Sequence, residues 1–528
     1  LAENLDVDAG VTFTLSNLFT LTAGTATFDG TATMHGYAQT GGILAGSGNF
    51  TVTDNYLQSG GGVNGNVHMT ITQTSGPLNY SATLVGSATL NAEAIVLGPI
   101  NTGSLSITTD SLQVTAPVLA GGVMALYPKT YSAIRLGSTA ANTLSLLQSD
   151  LDNLTVGEAQ FFAPILTVDN GANTVTLANF DTVQLGSQVS IDSPLALTLP
   201  GSTLFLNANR IDINETITAG AGGVFLGQNA SSVAYLIGVG SKTYPANTVE
   251  LSNAELNRIL TTGPVIIGDP YNAHNVAHGS MQIVGPIDLT GITSQLRLVG
   301  NGVTQAAGAT ITVPQLAVDG YGSINLPEAN VVGTFAAKSV NGNVTFASAG
   351  SLTIGKVETT ASPTNFATAG VVASNAGAAD ITAAGPLTIA AGAGQAVSVT
   401  AGEVWLNFNG DLSLNAGAGG QAYVEAALVT TIHLDFSNSA GKVRFNGTIA
   451  TDPTNGLPGP GTPDFIGFWD SAAAAIPGSN LLLTNTSFSF TGALCAGFDN
   501  CWTGAVDSLW ATAGNWSAGH APTGSENV

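Results

Sequence analysis

Apolar and polar residues alternate with a period of two along most of the chain. Val11, Phe13 and Leu15 alternate with Thr; Val67, Met69 and Ile71 alternate with His and Thr. Leu296 and Leu298 flank Arg297, Ile311 and Val313 flank Thr312, and Leu352 and Ile354 flank Thr353. Each run lasts four to six residues and then meets Gly, Asn, Asp or Pro. That is the signature of short strands with one buried face, separated by turns. The best helix candidate is Ser252–Leu260, where Ser252 is placed to cap and Glu255 follows three residues later.

The alternation repeats on a longer scale. LSITTDSLQVTAPVLAG (Leu105–Gly121) aligns without gaps on LFLNANRIDINETITAG (Leu204–Gly220), an offset of 99. Leu105/Leu204, Ile107/Leu206, Leu112/Ile211, Val114/Ile213 and Val118/Ile217 keep their apolar character. NTLSLLQSDLDNL (Asn142–Leu154) aligns on NTVELSNAELNRI (Asn247–Ile259) at an offset of 105. Within these blocks strand pairs recur every ~20–25 residues, a solenoid period. A parallel β-helix turn has that length, and its inward side chains stack on those of the next turn ~4.8 Å away. The rival arrangement is a series of antiparallel sandwich modules, which fits the near-100 repeat but not the short period.

Composition narrows the class. Of 528 residues, 33 are acidic and 10 basic, a net charge of −23; only 8% are charged, against 44% apolar. Disordered chains are poorer in apolar residues and richer in charge. Ten cations draw no basic patch for nucleic acid. No run approaches the ~18 apolar residues of a membrane helix. Thr, Ser, Asn and Gly fill the polar positions, as on an all-β surface. Scarce charge also suits a stacked repeat, where like charges on neighbouring strands sit ~5 Å apart. Residue 1 is Leu and no signal peptide follows it, so the sequence reads as a piece of a longer exported chain.

From Asn301 the motifs NGVTQAAGATITVPQLAVDG and LPEANVVGTFAAKSVNGNVTFASAGSLTIGKVETT resemble the repeats of filamentous-haemagglutinin-type exoproteins. ELSNAELNRILTTGPVIIG (Glu250–Gly268) and GPLTIAAGAGQAVSVTAG (Gly385–Gly402) are similar to them, and the resemblance spans about residues 100–450. It implies a right-handed parallel β-helix, export through a dedicated outer-membrane route, and a place in a bacterial surface adhesin or fibril. The end of the chain, CWTGAVDSLWATAGNWSAGHAPTGSENV, resembles the Trp motif that opens modules in autotransporter passengers and other large surface proteins.

Candidate chemistry is sparse. Asp6 with Asp8 and Asp150 with Asp152 are the near pairs a polysaccharide-active β-helix would use as acid and base; exposed turn carboxylates are the plainer reading, since no basic cluster accompanies them. GDPYNAHNVAHGS offers Asp269, His274 and His278, with His at i and i+4; rich in Asn and Gly, it reads as a projecting loop. His35, His68, His433 and His520 are scattered. Cys495 and Cys501 stand six apart in CAGFDNC, which suggests a local disulfide in an oxidising compartment, with two free thiols as the alternative. Trp502, Trp510 and Trp516 are placed to stack on glycans or to bury as a module cap. No metal site or organic cofactor is expected, beyond a nonspecific Ca²⁺ contribution that the acidity allows.

The sequence therefore predicts an all-β chain, a right-handed parallel β-helix with the start of a small module at its C-terminus. Its segments are 1–100, β-helical; 101–300, holding the two ~100-residue pseudo-repeats; 301–450, haemagglutinin-like; 451–480, a Pro/Gly-rich loop; and 481–528, the Trp-rich start of a further module. The function expected is non-enzymatic: an extracellular, bacterial cell-surface rod for adhesion, matrix or fibre formation. Its partners would be a host or neighbouring-cell surface, a matrix polysaccharide, or further copies stacked end to end, with no nucleic acid and no membrane insertion. The alternatives are a self-assembling filament subunit and, less favoured, a polysaccharide-active β-helix enzyme.

Overall fold

The computed structural model describes residues 1–83, 86–227, 233–268, 279–359, 366–374 and 377–409, and beyond these the strands and turns at 412–416, 421–426, 433–436, 443–446, 449–450, 469–470, 481–484 and 488–489. The protein is all-β: 63% strand and 2% helix. The described residues form two compact units. One comprises those within Leu1–Asn229 and Thr243–Val265; the other comprises those within Ala230–Lys242 and Ile266–Thr360 and from Thr364 on.

In the first unit the strands Thr31–Gln39, Asn49–Gln58, His68–Thr72, Ser87–Asn91, Ser104–Thr108 and Val118–Tyr127 pair in succession, all parallel. Register places Ala32, Phe50, Met69, Ala88, Leu105 and Met124 in one column, at steps of 18, 19, 19, 17 and 19 residues. The column continues through Ala159, Val183, Leu204 and Val224, and every member is buried. A second buried column two residues on runs from Met34 through Val52, Ile71, Leu90 and Ile107 to Leu126. The alternation thus has a simple cause: every second side chain is enclosed, and it meets its like on the next strand. Aromatic residues stack the same way, with ring centroids 6.0 Å apart for Phe19–Tyr37, 5.6 Å for Tyr37–Tyr56 and 4.3 Å for Phe205–Phe225.

Turns are stacked too. Gly24, Gly42 and Gly61 all take positive φ, at 73°, 70° and 79°. The Gly24 carbonyl accepts the N–H of Ile43, and the Gly42 carbonyl that of Gly62. A Cβ on Gly42 would lie 2.7 Å from the Gly24 oxygen, and one on Gly61 2.5 Å from the Gly42 oxygen. Both the conformation and the close approach require glycine there.

The second unit is built alike. Met281, Val303, Ile324 and Val344 form one parallel column, and Leu296, Leu316, Phe335 and Ile354 another. Lys356–Glu358 and Ala367–Ala369 pair antiparallel, as a hairpin that leaves the ladder. Val357 of this hairpin packs on Ala317 and Ala336, which continue the column of Arg297. Alternation would set that column facing water; the hairpin buries it. Arg297 is only 2% exposed. It pairs with Asp319, and its Nη1 donates to the Thr368 hydroxyl (2.7 Å) and Nη2 to the Val357 carbonyl (3.0 Å).

Candidate binding surface

The outward positions of the first unit form two further columns. One holds Thr12, Thr31, Asn49, His68, Ser87 and Ser104; the other holds Thr14, Thr33, Thr51, Thr70, Thr89 and Ser106. His68 and Ser87 meet side by side, Nδ1 to Oγ 2.8 Å. Neighbours across the ladder lie ~4.8 Å apart and next-but-one residues along a strand ~6.7 Å. The result is a grid of hydroxyl and amide groups without a carboxylate or a permanent cation, on a chain of net charge −23. Threonine suits such a grid, because branching at Cβ restricts χ1 and holds its hydroxyl and methyl in place. Each hydroxyl both donates and accepts, so the grid can meet a repeating neutral surface at many points. Lining up the triplets TFT, TAT, NFT, HMT, SAT and SLS at their ~19-residue spacing is the sequence signal that would have found these columns.

Asp6 and Asp8 are both exposed. Asp150 and Asp152 lie on the short helix α1 (Gln148–Asp152) and point to different partners. Asp152 accepts from Gln148 Nε2 (2.7 Å). Asp150, expected in an exposed turn, is 7% exposed and accepts the N–H groups of Val114 and Leu147, both at 2.9 Å. His35 faces Asp54 at 3.4 Å near the surface. Asp269, His274, His278 and His520 lie outside the described residues, as do Cys495, Cys501, Trp502, Trp510 and Trp516. His433 begins the strand His433–Phe436. Among the described residues no three His, Cys, Asp or Glu side chains gather as a metal site would require.

Asp150 belongs to a duplicated brace. Helix α2 (Asn253–Leu256) is capped by Ser252, with Glu255 closing the capping box, so the sequence reading holds there over one turn. At the 105 offset Glu255 matches Asp150 and Arg258 matches Asn153; at the 99 offset Ile213 matches Val114. The bonds match as well. Asp150 Oδ1 accepts the Val114 N–H and Glu255 Oε1 the Ile213 N–H, at 2.9 and 3.0 Å. Asn153 Nδ2 donates to the Val114 carbonyl and Arg258 Nη1 to the Ile213 carbonyl, at 3.1 and 2.7 Å. Asn142 and Asn247 share a positive φ of 54° and 56°.

Asp110 fastens another turn. Burial acts to raise its pKa, but the Thr130 hydroxyl and the N–H groups of Thr130, Tyr131 and Lys129 outweigh this and hold it below the usual carboxylate range.

No protein-family model matches the chain, and no significant similarity to a curated protein or a solved structure is found.

Proposed function

We propose that the chain is a non-enzymatic, extracellular segment of a large bacterial surface protein, built as a right-handed parallel β-helix. Its work is adhesion or matrix formation through a repetitive neutral face. The observation that carries this reading is the pair of outward Thr/Ser/Asn columns held in register over six strands. Parallel pairing at steps of about 19 residues supports the β-helical part, because parallel neighbours need a crossover between them and short crossovers close a coil. The partner is a neighbouring-cell surface or a matrix polysaccharide. Each contact is weak, and strength comes from repetition along the face and between modules.

A second reading, a self-assembling filament subunit, draws on Thr12–Leu21. That strand carries exposed apolar side chains, with Val11 just before it and Leu18 within it, a surface that a second copy could cover.

Negative-stain microscopy of the purified chain, together with its incubation with acidic and neutral polysaccharides, tests both. Stiff particles and no new reducing ends or unsaturated products are expected. Particles of one length favour the adhesive segment and polymers favour the filament subunit. Turnover lost on His68→Ala or Asp152→Asn would overturn both in favour of an enzyme.

A further inference from the structure

Beyond the exchanges Asp150/Glu255, Asn153/Arg258 and Leu147/Ser252, the two copies of the duplicated brace differ beside the strand Thr203–Ile213. The strand Thr203–Ile213 carries Arg210 and Asp212, paired in register with Gln188 and Ser190. The Arg210 guanidinium lies 3.8 Å from the centroid of the Tyr244 ring. Tyr244 donates its hydroxyl to Asp212 Oδ1 (2.8 Å), and Arg210 Nε donates to Asp212 Oδ2 (2.8 Å), so the three side chains close a triangle. Tyr244 has φ of 52°, costly for a bulky residue. A buried carboxylate holds it so: Glu250 Oε2 accepts the N–H groups of Thr243 and Tyr244, at 2.6 and 2.7 Å.

At the same offsets the first copy has Ser111 for Arg210, Gln113 for Asp212, Thr139 for Tyr244 and Ser145 for Glu250. It makes its turn with a lighter bond, Ser145 Oγ accepting the Ala140 N–H at 3.3 Å. The brace therefore forms without the triangle, and the second copy carries both the triangle and the strain beyond what the brace requires. Strain maintained by a buried clamp is a mark of function rather than of folding.

What the triangle offers is specific. The Tyr244 residue is 44% exposed and the Arg210 side chain 45%. Arg210 uses part of its five-donor fork on Asp212 and Tyr244. An aromatic surface, a planar fork of donors and an adjacent carboxylate suit the apolar face and vicinal hydroxyls of a pyranose. Asp192, bonded to Asn214 (2.7 Å) near Asp212, and a chain charge of −23 disfavour an anionic ligand. We propose that Arg210, Asp212 and Tyr244 form a recognition site for a neutral sugar unit of a polysaccharide. This rests on the adhesive reading above and gives it a discrete ligand site beside the repetitive face.

The test is affinity electrophoresis of the full chain through gels containing galactan, mannan, soluble starch or alginate. Retardation by at least one neutral polymer is expected. Tyr244→Ala should weaken it at least tenfold, Arg210→Gln should weaken it severalfold, and Arg135→Gln, whose side chain pairs with Asp169 elsewhere, should leave it intact. Should Tyr244→Ala fail to fold, Tyr244→Asn, a residue type that tolerates this positive φ, should lose binding with its melting temperature kept. No retardation in any neutral gel, retardation by alginate alone, or full retardation of a folded Tyr244 variant overturns the site. Any of these results leaves the adhesive reading to its own microscopy and digestion test.

Discussion

In the first unit the rings of Tyr37, Tyr56 and Tyr80 follow one another from strand to strand, 5.6 and 5.9 Å apart. Burial pushes all three hydroxyls well above the usual tyrosine pKa, and at Tyr56 the neighbouring tyrosines add to it. A raised folded-state pKa contributes stability that is intact below the unfolded value of ~10 and is lost as pH rises through the folded value. The melting temperature should hold from pH 8 to about 10 and then fall, and Tyr56→Phe should make that fall shallower. Equal slopes for the two proteins would remove the tyrosines as its cause. Arg297 poses the opposite case, a buried charge that needs its partner. Arg297→Met leaves Asp319 uncompensated and should cost about 3–5 kcal/mol, whereas Arg297→Met with Asp319→Leu should recover most of it; denaturant melts of the three proteins decide. Alternation alone placed Arg297 toward water. Its burial depends on a hairpin some sixty residues further along the chain, and local pattern carries no trace of such a cover.

Among the elements, strands were legible and their partners only partly so. Val67, Met69 and Ile71 read as a strand because every second residue is apolar, and Met69 and Ile71 are indeed enclosed. Which strand lies beside another follows from the ~19-residue step, a weaker signal than alternation. The helices make the same contrast. Helix α2 announces itself through Ser252 and Glu255. Helix α1 does not, because Leu147 stands at its cap and only alignment with α2 exposes it. Because the two braces share their bonds, they should share their cost. Asp150→Ala strands the N–H groups of Val114 and Leu147; Glu255→Ala strands those of Ile213 and Ser252. Each should lose about 1–3 kcal/mol by equilibrium denaturation. A severe loss at one site and none at the other would mean that the two copies do not carry the same load.

At the scale of the whole chain, the scarcity of charge and the regularity of register are one property. Along much of the ladder in each unit a residue's neighbours are its counterparts about 20 positions away, so a side chain repeated at that spacing meets itself. Methyls, rings and hydroxyls gain from such company, and carboxylates do not. The neutral Thr/Ser/Asn face is therefore what stacking permits as well as what a repeating partner would meet. The triple variant Thr33→Asp, Thr51→Asp, Thr70→Asp tests this directly, because these positions are consecutive in one column. Two adjacent charge pairs ~4.8 Å apart at ~1 kcal/mol each in water should cost about 2 kcal/mol at low salt. Each single variant should cost much less, having no like charge beside it in the column. Because the Debye length shrinks to ~3 Å at 1 M salt, the triple variant should regain most of its loss there. Were the three single losses to add up to that of the triple, and were salt to restore nothing, repulsion between stacked positions would not be the reason this chain carries so little charge.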